Sequence, residues 1–331
     1  MSYDQRPHRK GMAVSKKTAV EPQQPIDTDV HPVKTLKEHV VALDAAMLVA
    51  ATAAEIGAVH KLRTNTRRVE AFLRLVDLLE HATRPSEIPE HSKEAKAVRG
   101  RLRRVRQAAG TVRDLDVQVD AIWYDAPAKV EGKGADSVAV VRKQAKALRK
   151  HLLHTRKVEA ETLIAVLHRQ QEKLAASLRT LEQAMKPASG PGIAPQQMGE
   201  HIQQWFAGEM RRLLLPEKRQ RKTKATLQTR VARLDEEHLH DLRKAAKLCR
   251  YMAESAPEGS PVRALAEQFE AVQEAGGKWH DWLLLARLSR GYHGKQAPLT
   301  TRYEQHRNAA LREYQAQLNA LLPVLAHITA V

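Results

Sequence analysis

Apolar residues recur every three or four positions along most of the chain, a spacing that predicts α-helices. Near the start of this pattern, Leu36, Val40, Leu43 and Met47 fall on one helical face. A similar face closes the chain with Leu318, Leu321, Leu322 and Leu325. No segment alternates Val, Ile, Thr and Tyr with polar residues as a strand does. The pattern therefore predicts an all-α fold.

Breaks in the helical pattern divide the chain into segments. Residues 186–195, KPASGPGIAP, have the composition of a linker. They are predicted to separate a first helical bundle, residues 33–185, from a second bundle, residues 196–331. Residues 1–32 are rich in Pro, Gln, Lys and Arg and poor in large apolar side chains. This composition predicts a disordered basic N-terminal arm.

Two stretches of the chain have nearly the same pattern, His-x-Leu-Arg-x-x-x-basic. They are VHKLRTNTRRVEAFLRL at residues 59–75 and LHDLRKAAKLCRYMAES at residues 239–255. Sliding one stretch onto the other aligns His60 with His240, Leu62 with Leu242, Arg63 with Arg243 and Arg67 with Lys247. The match indicates an internal repeat that relates the two predicted bundles.

On a helix, the polar residues of each stretch share one narrow face, because successive residues turn by about 100°. The first basic stripe consists of His60, Arg63, Arg67 and Arg74, and the second of His240, Arg243, Lys247 and Arg250. A solvated helix usually interleaves acidic residues among such bases. The second stripe contains no acidic residue, whereas Glu70 of the first stretch aligns with Arg250. An unneutralised stripe predicts an anionic ligand.

A second repeated element follows each stretch. GTVRDLDVQVD at residues 110–120 corresponds to GKWHDWLLLARL at residues 277–288, which aligns Arg113-Asp114 with His280-Asp281. We interpret Asp114 as a structural partner that orients the guanidinium of Arg113 rather than as a catalytic group. Together the two repeated elements resemble the conserved histidine α-helical domain, or CHAD.

The resemblance to CHAD proteins extends over most of the chain after Val33. It implies an all-α fold of two pseudo-symmetric helical bundles, and inorganic polyphosphate bound in a basic channel between them. The chain departs from the family pattern at Glu70, where a basic residue is expected. It also departs at Lys278-Trp279, which are more basic and bulkier than the family's residues.

The net charge supports an anionic partner. Lys and Arg number 55 against 38 Asp and Glu, which gives +17 with histidine neutral. Such an excess attracts polyanions. Nucleic acid is the main alternative ligand, but aromatic residues make up only 4% of the chain, and we see no platform for base stacking. We therefore expect nucleic acid to act only as a weak, backbone-binding competitor of polyphosphate.

The predicted polyphosphate contacts come from the stripes and from further basic positions. Arg103, Arg106 and Arg113 recur at helical spacing, although this segment could equally be a solvated face, and Arg149 keeps helical phase with Arg142 and Lys146. The full set is His60, Arg63, Arg67, Arg103, Arg106, Arg113, Arg149, His240, Arg243, Lys247 and Arg250. The basic run at residues 217–224 is either a solvated loop or an additional contact.

No catalytic residue, metal site or cofactor is predicted. His60 and His240 can donate to phosphate oxygens, or they can be interface residues buried between the repeats. A phosphohistidine role lacks an acid-base partner. His280-Asp281 is similar to the dyad of metal-dependent phosphohydrolases, but neighbouring residues diverge around a helix and further ligands are needed. We therefore expect a binding protein and not an enzyme.

Three features predict a cytoplasmic location. The single cysteine, Cys249, cannot form a disulfide within the chain, which fits a reducing compartment. There is no apolar stretch of about 18 residues that would span a membrane. The polar, basic N-terminus lacks a signal-peptide core. Polyphosphate binding would in addition allow association with polyphosphate granules.

Overall fold

The computed structural model describes residues 29–80, 92–128, 135–185, 192–214 and 231–326. The helices in these ranges are α1 (Pro32–Thr52), α2 (Ile56–Glu80), α3 (Ser92–Asp125), α4 (Ala135–Met185), α5 (Pro195–Leu214), α6 (Glu236–Ala253), α7 (Pro261–His293) and α8 (Pro298–Ala326). The only β-pairing among the described residues is an isolated bridge between Val30 and Ile193. The all-α prediction is confirmed.

Several sequence predictions concern residues outside the described ranges. These are the N-terminal arm up to residue 28, most of the linker at residues 186–191, and the basic run at residues 217–224. Next to the first two segments, Val30 and Ile193 exchange backbone hydrogen bonds of 3.0 and 2.9 Å. This bridge ties the chain just before α1 to the chain just before α5.

Local sequence explains where α6, the helix of the second basic stripe, begins. Asp235 accepts a hydrogen bond from the backbone N–H of His238 at 2.9 Å, and Glu236 and Glu237 follow in the first turn. The cap satisfies an amide that has no partner within the helix, and the carboxylates favour the positive end of the helix dipole. Asp235 is therefore the N-cap of α6.

Residues 52–55, between α1 and α2, have the Thr-x-x-Glu spacing of a helix-starting capping box, but Thr52 does not cap α2. The hydroxyl of Thr52 donates back to the carbonyl oxygen of Leu48 at 3.1 Å, and Ala53 is extended. Thr52 therefore ends α1 instead of starting α2. The side chain of Asn65 on α2 reaches the carbonyl oxygen of Ala42 at 3.2 Å, which links the two helices after the break.

One hydrophobic core runs through both halves of the chain. Leu62, Val69 and Leu73 of α2 are buried in it, as are Leu242 and Cys249 of α6. A smaller core joins α3 and α4 to α7 and α8. Because the apolar face of α2 or α6 is buried, the basic stripe on its other side is directed away from the core.

Cross-links between distant segments hold the two halves in register. Glu254, at the end of α6, accepts a hydrogen bond from Arg68 of α2 at 3.3 Å. Arg302 of α8 donates to both carboxylate oxygens of Asp125 at the end of α3, at 2.7 and 2.9 Å. None of the described helices combines the length and the apolarity needed to cross a membrane.

Candidate polyanion-binding cleft

The helices that carry the repeated elements, α2, α3, α6 and α7, surround a cleft of about 660 Å³. We call it the central cleft. Most of the predicted contact residues line it, namely His60, Arg63, Arg67, Arg113, Arg243, Lys247 and Arg250. The cleft is thus where the basic stripes of α2 and α6 approach each other.

Asp114 and Arg63 form an ion pair across the wall of the central cleft. The guanidinium of Arg63 donates to the carboxylate of Asp114 at 2.7 Å. Asp114 was expected to orient its neighbour Arg113, and that prediction was wrong. Consecutive residues diverge around a helix, so Asp114 faces α2 while Arg113 lies in the cleft beside His60.

Arg67 and Lys247 are cations without an ion-pair partner among the described residues, and both are partly buried. Burial, followed by the charges of Arg67, Arg63 and Arg243, lowers the pKa of Lys247 to about 6. Burial and the neighbouring Arg63 lower the pKa of Arg67 to about 10. Mutual repulsion in a partly desolvated site therefore makes this pair the least compensated part of the cleft.

Arg243 occupies on α6 the position that Arg63 occupies on α2. Burial lowers the pKa of Arg243, while the nearby carboxylate of Asp281 acts to raise it. Asp281 acts on Arg243 through its charge, whereas Asp114 forms a direct ion pair with Arg63. The Nε atoms of Arg63, Arg67 and Arg243 are all buried and have no hydrogen-bond partner among the described residues. These three N–H groups are therefore unsatisfied within the part of the chain that the structure describes.

Arg250 lines the cleft, but its charge is compensated. It forms 2.8 Å ion pairs with Glu254 and with Glu270 of α7. The interpretation of the second stripe as unneutralised is therefore wrong at this residue. Glu254 lies one turn after Arg250, where helical spacing indicates it, whereas Glu270 comes from another helix and gives no signal in the pattern of α6.

His240 does not line the cleft, unlike His60. Its ring stacks on that of His280, with centroids 4.9 Å apart. Burial and the charge of Arg243 lower the pKa of His240 to about 4. His280 belongs to the same half of the chain, so this stacking contact does not make His240 an interface residue between the two repeats. Among the described residues, no group of three possible ligands could hold a metal ion, at the His280-Asp281 pair or elsewhere.

The remaining predicted contacts lie outside the cleft. Arg106 is ion-paired with Glu70, the acidic residue that interrupts the first stretch. Arg103 is exposed on α3. Arg149 lies on α4 with its guanidinium 5.1 Å from the ring centroid of Trp123. The structure does not bring these three residues to the central cleft, because helical phase alone does not specify which neighbour a face meets.

The structure adds lining residues that the repeat did not reveal. They are Thr64, Arg68, Tyr251, Gln273, Glu274, Lys278 and Trp282. Tyr251 lies 6.0 Å from the ammonium group of Lys247 and 5.8 Å from the guanidinium carbon of Arg250. The position of Tyr251 directly after Arg250 gave no signal, because adjacent residues of a helix normally face different directions.

A family profile described as the CHAD domain matches residues 34–290, which include every residue that lines the cleft. The chain belongs to the CHAD family. The CHAD domain of the plant Ricinus communis has a similar structure, with a TM-score of 0.56 and 16% identity over 91% of this chain and 93% of that one. PptA from Streptomyces chartreusis matches with a TM-score of 0.51 and 14% identity, over 88% of this chain and 98% of that one.

At 16% and 14% identity, the two solved structures show only that this CHAD protein shares their fold. Comparison with curated proteins gave no match. The function of the CHAD cleft must therefore be argued from its own residues.

Proposed function

We propose that this CHAD protein binds inorganic polyphosphate in the central cleft and does not hydrolyse it. The observation that carries the proposal is the pair Arg67 and Lys247, which lie partly buried with no carboxylate at ion-pair distance among the described residues. Burial and neighbouring positive charges disfavour the charged forms of these two side chains in the free protein. A bound polyanion would favour the charged forms.

The donors around this pair suit a linear phosphate chain. Guanidinium groups bind two oxygens at once, and the buried Nε atoms of Arg63, Arg67 and Arg243 have no other acceptor among the described residues. Arg63 and Arg67 are one turn apart, about 6 Å along α2. Cations on facing helices at such intervals can contact successive phosphates. A nucleic-acid duplex carries its phosphates on a wide cylinder, so we expect it to compete only weakly here.

Three carboxylates at or beside the cleft are bonded to arginines, which supports a binding role over catalysis. Asp114 is bonded to Arg63, and Glu254 and Glu270 are bonded to Arg250. A carboxylate engaged with a guanidinium is a poor general base and a poor metal ligand. As a binder of polyphosphate, the protein would operate in the cytoplasm and associate with polyphosphate granules.

The proposal is tested by calorimetric titration with long-chain polyphosphate. Arg67→Gln combined with Lys247→Gln removes two partly buried cations that have no ion pair among the described residues, without placing a new charge beside Asp114. Loss of contacts worth about 1.5–3 kcal/mol each predicts at least a hundredfold weaker binding. Circular dichroism should show unchanged helicity, because both side chains repel their neighbours in the unliganded protein.

The matched control is Lys96→Gln combined with Arg104→Gln, which removes the same charge from exposed positions of α3. This variant should bind polyphosphate within about threefold of the wild type, since exposed charges act weakly through screening solvent. Equal losses in the two double variants would mean that polyphosphate senses only net charge, and the cleft assignment would be rejected. DNA at equal phosphate concentration should displace polyphosphate poorly from the wild type.

A further inference from the structure

A second basic surface lies outside the central cleft, at the end of α3 and along α4. It is a groove of about 620 Å³, lined by Trp123, Arg142, Lys143, Lys146, Arg149 and Lys150 with an apolar floor. We call it the Trp123 groove. It shares no lining residue with the central cleft. We propose that the Trp123 groove binds single-stranded nucleic acid.

An exposed indole is the first observation behind this proposal. Trp123 is 64% exposed and the adjacent Tyr124 is 85% exposed. Large aromatic rings are mostly buried in folded proteins, because exposing them to water is unfavourable. The guanidinium of Arg149 lies over the ring of Trp123, and its buried Nε has no hydrogen-bond partner among the described residues. A planar ring and a planar cation thus form a surface on which a base can stack.

The charges of α4 provide the second observation. From residue 137 to residue 158 the sequence contains no Asp or Glu. Arg142, Lys146, Arg149 and Lys150 fall on one face of this stretch, with successive turns about 6 Å apart. Arg142 donates to the carbonyl oxygen of Pro127 at 2.7 Å. No carboxylate is ion-paired with these four cations in the part of the chain that the structure describes, so they form a track for phosphates.

The apolar floor of the Trp123 groove indicates a ligand other than polyphosphate. Ile122, Ala145 and Leu153 line the groove between the cations. A polyphosphate chain has no apolar part with which to cover these side chains. A single-stranded nucleic acid has both phosphates for the rim and bases for the floor and the indole, whereas a duplex keeps its bases paired. The low aromatic content of the chain argued against base stacking. One exposed ring, that of Trp123, is nevertheless enough to provide a stacking surface.

Binding of a 20-residue oligothymidylate to the full chain tests the proposal, measured by anisotropy of the labelled oligomer. Trp123→Leu keeps an apolar side chain and removes the stacking surface. It should weaken binding about tenfold, and Trp123→Phe should recover most of the loss. Tyr292→Leu is the matched control, since Tyr292 is exposed on α7 outside the groove, and it should bind like the wild type. An abasic oligomer of equal length should bind the wild type about tenfold more weakly than oligothymidylate.

Two comparisons separate this site from the central cleft. Arg67→Gln combined with Lys247→Gln should leave the affinity for oligothymidylate unchanged, and Lys146→Gln combined with Lys150→Gln should reduce it. Equal binding of the abasic and thymidylate oligomers, or an unaffected Trp123→Leu variant with native helicity, would overturn the proposal. Displacement of oligothymidylate by polyglutamate at equal charge would also overturn it and assign the groove to acidic peptides.

Discussion

Arg63 of α2 donates a 2.7 Å hydrogen bond to Asp114 of α3, so a carboxylate holds the first guanidinium of a basic stripe at the wall of the central cleft. In the other half, Asp281 acts on the aligned Arg243 through its charge. The ion pair orients Arg63, and both carboxylates reduce the net charge that a polyanion meets. The affinity of the cleft for a polyanion therefore depends on two opposing effects of these carboxylates, which hold an arginine in place and also reduce the positive charge.

Asp114→Asn removes the carboxylate that pairs with Arg63 and so increases the net positive charge of the cleft. The variant should bind polyphosphate several-fold more tightly at low salt, with a steeper decrease in affinity as salt rises, because one more cation is free to contact phosphate. Its free energy of unfolding should decrease by less than about 1 kcal/mol, since Asp114 is partly exposed. Titration at two salt concentrations and urea unfolding measure the two effects. Weaker binding would instead show that placement of Arg63 matters more than its free charge.

Polyphosphate binding should be coupled to proton uptake through Lys247. Its pKa of about 6 leaves the amine mostly neutral at pH 7.5, and nearby phosphates would raise that pKa. Affinity should therefore increase as the pH falls from about 8 to about 6. Titrations at pH 7.5 in buffers of different ionisation enthalpy should show uptake of up to about one proton, and Lys247→Met should lose it. A binding enthalpy independent of the buffer would exclude the coupling.

The same pKa determines how the free protein responds to pH. The folded pKa of Lys247, about 6, is below its ordinary value of 10.5. Between these values the unfolded chain binds more protons than the folded one, so the free energy of unfolding rises with pH. Urea unfolding between pH 6.5 and about 9 should show this rise, and Lys247→Met should flatten it. The lowered pKa of His240, about 4, adds a rise with the same sign between about 4 and 6.5.

Two adjacent glycines of α7 should respond oppositely to alanine. A Cβ at Gly276 would lie 2.9 Å from Cε2 of Tyr314 and 3.1 Å from Cγ of Arg243, whereas a Cβ at Gly277 meets nothing within 4 Å. The hydroxyl of Tyr314 donates to the carbonyl oxygen of Leu239, which holds the ring in place. Gly276→Ala should lower the free energy of unfolding by about 1–3 kcal/mol.

Gly277→Ala is the matched control. It should raise the free energy of unfolding by up to about 1 kcal/mol, because alanine restricts the unfolded chain and favours the helix. Urea unfolding with an unchanged slope against denaturant would measure both variants. Shifts of the same sign would contradict the close packing of α6, α7 and α8 beneath the cleft.

Replacing Arg250 should weaken polyphosphate binding for a different reason than replacing Arg67. Arg250→Gln leaves Glu270 without an ion pair among the described residues and Glu254 paired only with Arg68, so both carboxylates repel polyphosphate more strongly. Adding Glu270→Gln should recover part of the lost affinity. The same addition should not help Arg67→Gln, because Arg67 has no ion pair with a described carboxylate. Titration of the four variants measures the difference, and equal recovery in both backgrounds would contradict it.

The chemistry of the cleft was predictable where it depended on helical phase. The His-x-Leu-Arg pattern placed His60, Arg63 and Arg67 on one face of α2, and the structure has them on one wall. Phase does not report what an opposing helix contributes. The pairing of Glu70 with Arg106, and of Glu270 with Arg250, therefore required the tertiary structure.

Arg149 and His240 also show that helical phase does not identify the neighbours of a side chain. Both continue a basic pattern in sequence, but Arg149 stacks on an exposed indole far along α4 and His240 stacks on His280. A basic residue at the correct spacing can face a cleft, a neighbouring ring or solvent. Which of these it meets depends on the packing of a second helix.

The sequence by itself determined the all-helical fold, the family, and the basic faces of α2 and α6, because these depend on residues a few positions apart. Only the tertiary structure decided which cations keep their charge free and which are neutralised. It also decided that an indole and the arginines and lysines of α4 form a separate surface. Those outcomes depend on contacts between residues far apart in the chain, where Coulomb energy and burial act through distances in space.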